Sequence, residues 1–288
     1  MDSSLLKRTA PALFVLLWST GFIVAKYGTR DAGPLTFLTI RSLISAVALF
    51  AIARLVREAS IPRERIPVQI IVGTGMHAMY LGGVWVAINH GLPSGISALI
   101  AALHPVLTTI LGVVFLRESL TARRGWGAVL GFAGVLAVVA ERGGAGDGVS
   151  TFALVAMAIA VGGMSAGTLV QRRFAQGTPL LHGTAWQYVA TSSVLGVCAL
   201  SSEGWRFSVT TQSMFALAWS VIVLSLAAIL IMLWLLRRQA ASQVSSLFFL
   251  TPALSTVQGA LLFSEKVGAL TLAGLATAAV GVWLATSS

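Results

Sequence analysis

The segment SALIAALHPVLTTILGVVFLRE, Ser97 to Glu118, is apolar with a proline near its centre, and it occurs twice in the chain. A shift of 147 residues aligns it with VSSLFFLTPALSTVQGALLFSE, Val244 to Glu265. The identities that this register pairs are Leu103 with Leu250, Pro105 with Pro252, Leu107 with Leu254, Thr109 with Thr256, Gly112 with Gly259, Glu118 with Glu265, Gly127 with Gly274 and Gly134 with Gly281. An ungapped run that keeps proline, glutamate and glycine in step indicates an internal repeat.

The composition is that of a membrane protein. The 288 residues are 57% hydrophobic and 10% charged, with a mean hydropathy of +0.89. An ordinary soluble domain is about 25% charged, and a helix needs ~20 apolar residues to cross a bilayer. The first apolar stretch, after Lys7 and Arg8, is longer than a signal-peptide core and lacks a small-residue cleavage site. The sequence therefore predicts an all-α polytopic membrane protein that keeps this stretch as a span.

Ten transmembrane helices are expected, with ends placed by Gly, Pro or charge. Their predicted bounds are Ala10–Tyr27, Leu35–Ala53, Val68–Ile88, Ser94–Leu116, Gly125–Ala140, Thr151–Val170, Leu180–Leu200, Phe215–Leu236, Ala241–Phe263 and Ala269–Ala285. The glycine-rich segment Gly143–Gly148 divides the chain into two five-helix halves, residues 1–145 and 146–288.

The basic residues set the predicted orientation. Thirteen Lys and Arg residues fall on the side that holds both termini and five fall on the other side. Cytoplasmic loops of membrane proteins carry the excess of Lys and Arg. We therefore expect both termini in the cytoplasm of a bacterial cell, in its inner membrane. The net charge of +10 is spread over these loops, which gives no reason to expect a nucleic-acid partner.

The two copies of the repeat are predicted to face opposite ways. The copies lie in the fourth and ninth spans, so the second comes five spans after the first. Because five is odd, the second copy crosses the membrane in the reverse sense. Inverted repeats are typical of secondary transporters, in which the substrate site lies near the bilayer midplane between the repeats, often on broken helices.

Further residues indicate a family. The first half reads Trp18-Ser-Thr-Gly-Phe22 with Lys26, then Pro34 and Arg41; Pro105, Glu118, Gly127 and Gly134 follow and recur in the second half. This combination resembles the drug/metabolite transporter (DMT) superfamily, EamA type, and among its members the YddG-type exporters of aromatic amino acids. The resemblance implies two inverted five-helix repeats around a central cavity. The second half has no counterpart of Trp18 or Arg41, so any role of these two belongs to one half only.

The repeated prolines predict breaks in the fourth and ninth spans. Proline lacks an N–H and displaces the carbonyl four residues earlier, so Pro105 frees that of Ala101 and Pro252 frees that of Phe248. Such breaks persist where they face protein or a water-filled cavity. The helix faces that we expect to line the substrate path are Ser94, Ser97, Ala101, His104 and Thr108 in one span, and Phe248, Thr251, Ser255 and Gln258 in the other. The alternative is a kink whose carbonyls neighbouring helices satisfy.

Aromatic residues and histidines extend this predicted site. His77 with Tyr80, and Trp18 with Phe22, each lie about one helical turn apart and could form an aromatic pocket for a ring or a cation. Simple packing is the alternative at each position. His104 could bond the substrate or titrate, or be a neutral histidine bonded across a helix interface.

Arg41 is the charged residue well inside a predicted span. An intramembrane charge is a functional hypothesis by default, and here the hypothesis is a clamp for a substrate carboxylate. The alternative is a structural arginine bonded to helix-end carbonyls.

The nine acidic residues bear on the energetics. All fall in loops or at span ends, whereas proton-driven transporters usually keep a carboxylate within the membrane. We expect a facilitator, unless His77, His104 or His182 carries protons. Glu118 and Glu265 are expected to anchor helix ends.

The sequence thus predicts a transporter that exports small amphiphilic metabolites, most plausibly aromatic or apolar amino acids, by alternating access. We expect no enzyme activity and no cofactor or metal. We expect the protein to be surrounded by membrane lipid and to be a monomer, in which the GxxxG pairs Gly127/Gly131 and Gly163/Gly167 pack internally. Cys198 is expected to be a packing residue. The rival within transport is efflux of drugs or aromatic cations. A membrane-embedded enzyme would need clustered His, Asp or Glu, which the four histidines do not form, and a scaffold without transport would not explain the broken repeats.

Overall fold

The computed structural model describes residues 3–117, 121–144, 150–228, 230–231, 235 and 247–286, and these fold almost entirely as helices. The α-helices are α1 (Ser3–Gly28), α2 (Pro34–Leu55), α3 (Ile66–Gly73), α4 (Tyr80–Asn89), α5 (Ser94–Ala101), α6 (His104–Leu116), α7 (Ala122–Gly144), α8 (Thr151–Phe174), α9 (Leu180–Ser202), α10 (Thr211–Ala218), α11 (Thr251–Phe263) and α12 (Ala269–Thr286). An isolated antiparallel bridge joins Ala32 and Phe207. The all-α prediction is confirmed.

Among the described residues, six helical segments are long and apolar enough to cross a membrane. They are Thr9–Gly28, Pro34–Leu55, Arg63–Asn89, Ser94–Leu116, Ala122–Glu141 and Thr151–Phe174, and Thr211–Ala227 and Ala269–Ala285 are shorter apolar helices. With 23 residues α9 lies within the length range of these six, and polar residues such as His182 and Gln187 interrupt its apolar sequence. The protein is therefore a multi-pass membrane protein. The predicted eighth and ninth spans lie partly outside the described residues, so the count of ten stays a prediction.

The outer surface of the bundle is rich in large apolar side chains, and several polar side chains lie in its interior. Large apolar residues such as Val47, Phe115 and Leu136 are exposed on the outside, whereas polar ones such as Gln69 and Ser225 are almost fully buried. This arrangement fits a bundle whose outer surface contacts lipid. Cys198 is exposed as well, so the expectation that it is a packing residue was wrong.

Two π-helical turns, which the sequence analysis did not predict, interrupt the α-helical geometry. Thr74–Met79 joins α3 to α4, and Trp219–Ala227 continues α10. The hydrogen bonds of a π-helical turn span five residues instead of four, and such turns are frequent at functional sites. The first turn packs closely on α8, where a Cβ added to Gly75 would lie 2.7 Å from the Gly163 carbonyl oxygen and 3.0 Å from the Gly167 Cα. The Gly163/Gly167 pair therefore packs within the chain, as predicted.

Glycines also bring α7 and α12 together. A Cβ on Gly127 would collide with the backbone of Gly281 and Ala285, and one on Gly134 with the backbone of Gly274 and Ala278. Because position 127 meets 281–285 while position 134 meets 274–278, the two helices run antiparallel. Side chains larger than hydrogen would force them apart.

Carboxylates tie α2 and α9 together at both ends. Glu203, just beyond α9, accepts hydrogen bonds from the backbone N–H groups of Leu35 (2.9 Å) and Thr36 (2.8 Å) at the start of α2. Glu58, just beyond α2, accepts from the N–H groups of Leu181 (3.2 Å) and His182 (2.8 Å) at the start of α9. Carboxylates at helix N-termini satisfy unpaired N–H groups and complement the helix dipole. The reciprocal caps show that α2 and α9 are also antiparallel.

The predicted proline breaks are present. Between α5 and α6 the chain makes a tight turn in which the N–H of Leu103 donates to the carbonyl of Ile100 at 3.0 Å. A short 3-10 helix, Phe248–Leu250, leads into α11, with Pro252 in its first turn. In both cases proline occupies the start of the following helix, where a missing N–H costs nothing.

Candidate functional site

Arg41 of α2 lies in the interior, with 5% of its surface exposed. Its Nε donates to Ser225 Oγ at 3.2 Å, and its guanidinium interacts with the hydroxyl of Tyr188 from α9. No carboxylate among the described residues pairs with it. A buried charge normally acquires an opposite partner, so a ligand's anionic group is a candidate partner for this guanidinium.

His77 lies beside Arg41 on the first π-helical turn, and glutamines hold it. Gln187 Nε2 donates to Gln69 Oε1 (2.7 Å) and to Gln171 Oε1 (3.2 Å), which uses both amide hydrogens. Gln187 Oε1 therefore accepts from His77 Nε2 at 3.1 Å. His77 thus carries its proton on Nε2, and Nδ1 is an acceptor. Its ring lies 4.9 Å from that of Tyr188.

The sequence analysis did not identify the glutamines, Tyr188 or Ser225. A signal was present for two of the glutamines, because Gln69 and Gln187 are amides inside largely apolar helices. Polar side chains in such positions are expensive unless neighbouring helices satisfy them. Gln171, by contrast, directly precedes Arg172 and Arg173 at the end of α8. What the sequence could not provide was the pairing, since Gln69 and Gln187 are 118 residues apart.

An aromatic group forms where α1 meets the start of α11. The rings of Trp18 and Phe248 lie 5.2 Å apart in an edge-to-face arrangement, and Phe14 contacts both. Trp18 and Phe248, predicted from opposite ends of the chain, are therefore neighbours. Phe22 and Ala101 are buried in a different apolar core, against which Tyr80 packs.

The carbonyls that the prolines release are paired, which corrects the expectation that they are free. His104 Nδ1 donates to the Ala101 carbonyl at 3.1 Å, and the backbone N–H of Thr251 donates to the Phe248 carbonyl. A local partner is available in both cases because the turn tightens just before the proline. The His104 side chain is thus bonded within its own helix break, while its backbone carbonyl accepts a hydrogen bond from Ser165 Oγ of α8 at 3.0 Å.

Hydroxyl groups line the contact between α1 and α11. Ser255 Oγ donates to the Ser19 carbonyl at 3.1 Å, and Gln258 Nε2 donates to Ser19 Oγ at 3.0 Å. Within the described part of the chain, the buried Thr251 hydroxyl and Gln258 Oε1 have no hydrogen-bond partner. In α5, by contrast, Ser97 Oγ donates to the Pro93 carbonyl within its own helix at 3.0 Å.

An ion pair closes one end of the bundle. Lys26 Nζ lies 2.8 Å from Glu265 Oε1, and Glu265 also accepts from the N–H (3.1 Å) and the hydroxyl (3.0 Å) of Ser94. The ends of α1 and α11 and the start of α5 therefore meet at one carboxylate. Glu265 anchors a helix end as predicted; Glu118 lies outside the described residues.

The remaining surfaces near the breaks are apolar. A small recess beside them is lined by Leu99, Ala102, Pro252, Leu275, Ala278, Ala279 and Val282. In the part of the chain that the structure describes, no group of three or more His, Cys, Asp or Glu could hold a metal ion. Among the described residues, polar side chains bonded between helices cluster around Arg41 and His77 and on α11.

Comparisons with known proteins agree with this architecture. The EamA-like transporter family matches residues 10–140 and again residues 151–287. The chain is 27% identical to the uncharacterized transporter YvbV of Bacillus subtilis, over 92% of this chain and 86% of that protein. It is 24% identical to a "Probable amino-acid metabolite efflux pump" of Salmonella typhimurium, over 94% and 92% of the two chains. A solved crystal structure, 22% identical, shares the fold with a TM-score of 0.68 and covers 96% of this chain and 94% of its own. The chain belongs to the EamA-like transporter family of the DMT superfamily.

Proposed function

We propose that the protein exports amino acids with aromatic or other large apolar side chains across the bacterial inner membrane, by alternating access between two inverted five-helix repeats. Membership of a transporter family supports the general activity. The relative from Salmonella typhimurium, named for amino-acid metabolite efflux, favours the substrate class. Both termini would lie in the cytoplasm, and the working unit would be a monomer.

Four features support the inverted repeat. The antiparallel pairs α2/α9 and α7/α12 each consist of two helices that the 147-residue shift places in the same position of the repeat. At the α7/α12 contact Gly127 meets Gly281 and Gly134 meets Gly274, as a two-fold axis between repeat copies requires. The π-helical turn Thr74–Met79, shifted by 147, falls within Trp219–Ala227. Left-handed residues at 117 and 264 end α6 and α11 in the same way.

The buried Arg41 is the main support for an amino acid as the substrate. The position equivalent to Arg41 in the second half holds a different residue, Tyr188. These two residues would therefore meet on the two-fold axis, where a transporter of this kind binds its substrate. A guanidinium presents several donors and binds a carboxylate with two parallel hydrogen bonds. The substrate's carboxylate would therefore lie at Arg41, with its side chain against apolar and aromatic residues.

Transport would run down the substrate's gradient. The described acidic residues lie at or near helix ends, where Glu58, Glu203 and Glu265 cap neighbouring helices. A carboxylate occupied in this way is poorly suited to relay protons through the membrane. His104 is held by the Ala101 carbonyl and His77 by Gln187, so neither side chain is an unconstrained proton carrier.

The test uses the purified protein in proteoliposomes and the counterflow of labelled L-phenylalanine. The wild type is expected to transport it, an excess of unlabelled amino acid should compete, and a quaternary ammonium compound should not. Arg41→Gln should reduce transport at least tenfold, while the exposed Arg63→Gln should match the wild type. An absence of counterflow, or competition by the quaternary ammonium compound alone, contradicts the proposal. Accumulation driven by an imposed pH gradient excludes the facilitator.

A further inference from the structure

Two polar atoms on α11 are buried without partners. Thr251 is 6% exposed, and its buried Oγ1 has no hydrogen-bond partner among the described residues. Oε1 of the partly buried Gln258 is likewise a buried atom without a partner there. Buried polar atoms in proteins are nearly always hydrogen-bonded, and an exception calls for a cause such as an absent ligand. Leaving such an atom unpaired costs about 1–3 kcal/mol.

The orientation of the Gln258 amide follows from its neighbours. Ser19 donates its hydroxyl hydrogen to the Leu16 carbonyl at 2.8 Å, so Ser19 Oγ can only accept from Gln258. The amide nitrogen must therefore face Ser19, and the oxygen faces away from it. An acceptor fixed in this way needs a donor from elsewhere.

The two atoms lie on one face of α11. Thr251, Ser255 and Gln258 follow the helical repeat, and the first and last are about 10 Å apart along the axis. Ser255 between them already donates to Ser19. The shift of 147 places His104 and Leu111 at the corresponding positions of the first half. His104 is bonded to the Ala101 carbonyl and Leu111 has no polar side-chain atom, so at these two positions the unpaired acceptors occur in the second half only.

We infer that Thr251 Oγ1 and Gln258 Oε1 accept hydrogen bonds from the ammonium group of the substrate as it passes along this face of α11. The inference rests on the proposed function and deepens it: the substrate is a zwitterion, and the protein selects for its positive end without a carboxylate. Neutral acceptors bind an ammonium group less tightly than a carboxylate would, which permits release on the far side.

The experiment compares three probes in proteoliposomes: L-phenylalanine, 3-phenylpropionate, which lacks the ammonium group, and phenethylamine, which lacks the carboxylate. The wild type should prefer L-phenylalanine to 3-phenylpropionate by at least tenfold. Thr251→Val and Gln258→Met remove the acceptors with little change in side-chain size, and Gln258→Met also removes the hydrogen bond to Ser19 Oγ. Each should reduce that preference by about tenfold, the effect of one hydrogen bond to a charged group.

Thr256→Val is the matched control, because the Thr256 hydroxyl already donates to the Pro252 carbonyl at 2.8 Å. It should keep the wild-type preference. If both test variants keep that preference while transporting L-phenylalanine, the inference is wrong and the acceptors bind only water. If the wild type transports none of the three probes, the proposed function itself fails. Melting temperatures of all variants show whether they are folded.

Discussion

Gly167 offers a sharp test of how the first π-helical turn is held in place. This glycine of α8 packs on the backbone of the turn that carries His77: a Cβ added to it would lie 2.8 Å from the Met76 amide nitrogen and 3.3 Å from the Gly75 carbonyl carbon. Non-bonded heavy atoms pack at about 3.5–4.0 Å. Gly167→Ala must therefore push the turn and α8 apart by roughly 0.7 Å.

Gly162 is the matched control, because it lies in the same helix and a Cβ there would meet nothing within 4 Å. Replacing glycine by alanine in a helix gains about 0.5–1 kcal/mol at either position, so this gain cancels in the comparison. The difference that remains is the overpacking cost, typically about 1–3 kcal/mol. At about 2–4 °C per kcal/mol for a chain of similar size, Gly167→Ala should melt several degrees below Gly162→Ala in detergent.

Transport should follow the same order. His77 is held by one hydrogen bond of 3.1 Å to Gln187, and a shift of its turn would lengthen that bond. Counterflow by Gly167→Ala should therefore fall relative to Gly162→Ala at equal amounts of folded protein. Equal melting temperatures and equal transport in the two variants would refute the close packing described above.

Three further predictions concern stability. Glu203→Gln should destabilise the protein by about 0.5–2 kcal/mol, as loss of a helix cap does, whereas Glu64→Gln, at an exposed position, should melt like the wild type. Lys26→Met should lower the free energy of unfolding by less than about 1 kcal/mol, because Lys26 is 34% exposed. Glu265→Ala should lower it more, since this change also removes two hydrogen bonds to α5. The opposite order would be inconsistent with the structure. Cys198→Ala should change stability by less than about 0.5 kcal/mol, because the side chain is exposed; a larger loss would contradict that position.

Local patterns in the sequence were sufficient for several features. The apolar runs indicated membrane-spanning helices because burying a backbone in lipid requires internally satisfied hydrogen bonds. Pro105 and Pro252 indicated the breaks because proline cannot donate in a helix interior. Gly163 and Gly167 indicated a close helix contact because small residues allow it. Each of these inferences depends on a residue and its neighbours within a few turns.

The polar site depended on contacts that the sequence does not record. Arg41 was noticed as an intramembrane charge, but its neighbours Tyr188 and Ser225 come from distant helices. The carbonyls of Ala101 and Phe248 were expected to be free, and the tightened turns before each proline paired them instead.

The sequence by itself determined that the chain is a helical membrane protein, that it contains a repeat, and where its helices break, since these follow from composition and local backbone chemistry. Only the tertiary structure decided which polar groups are satisfied. A hydrogen bond depends on distances of about 3 Å between atoms, and Gln258 and Thr251 look the same in the sequence whether or not a neighbour reaches them.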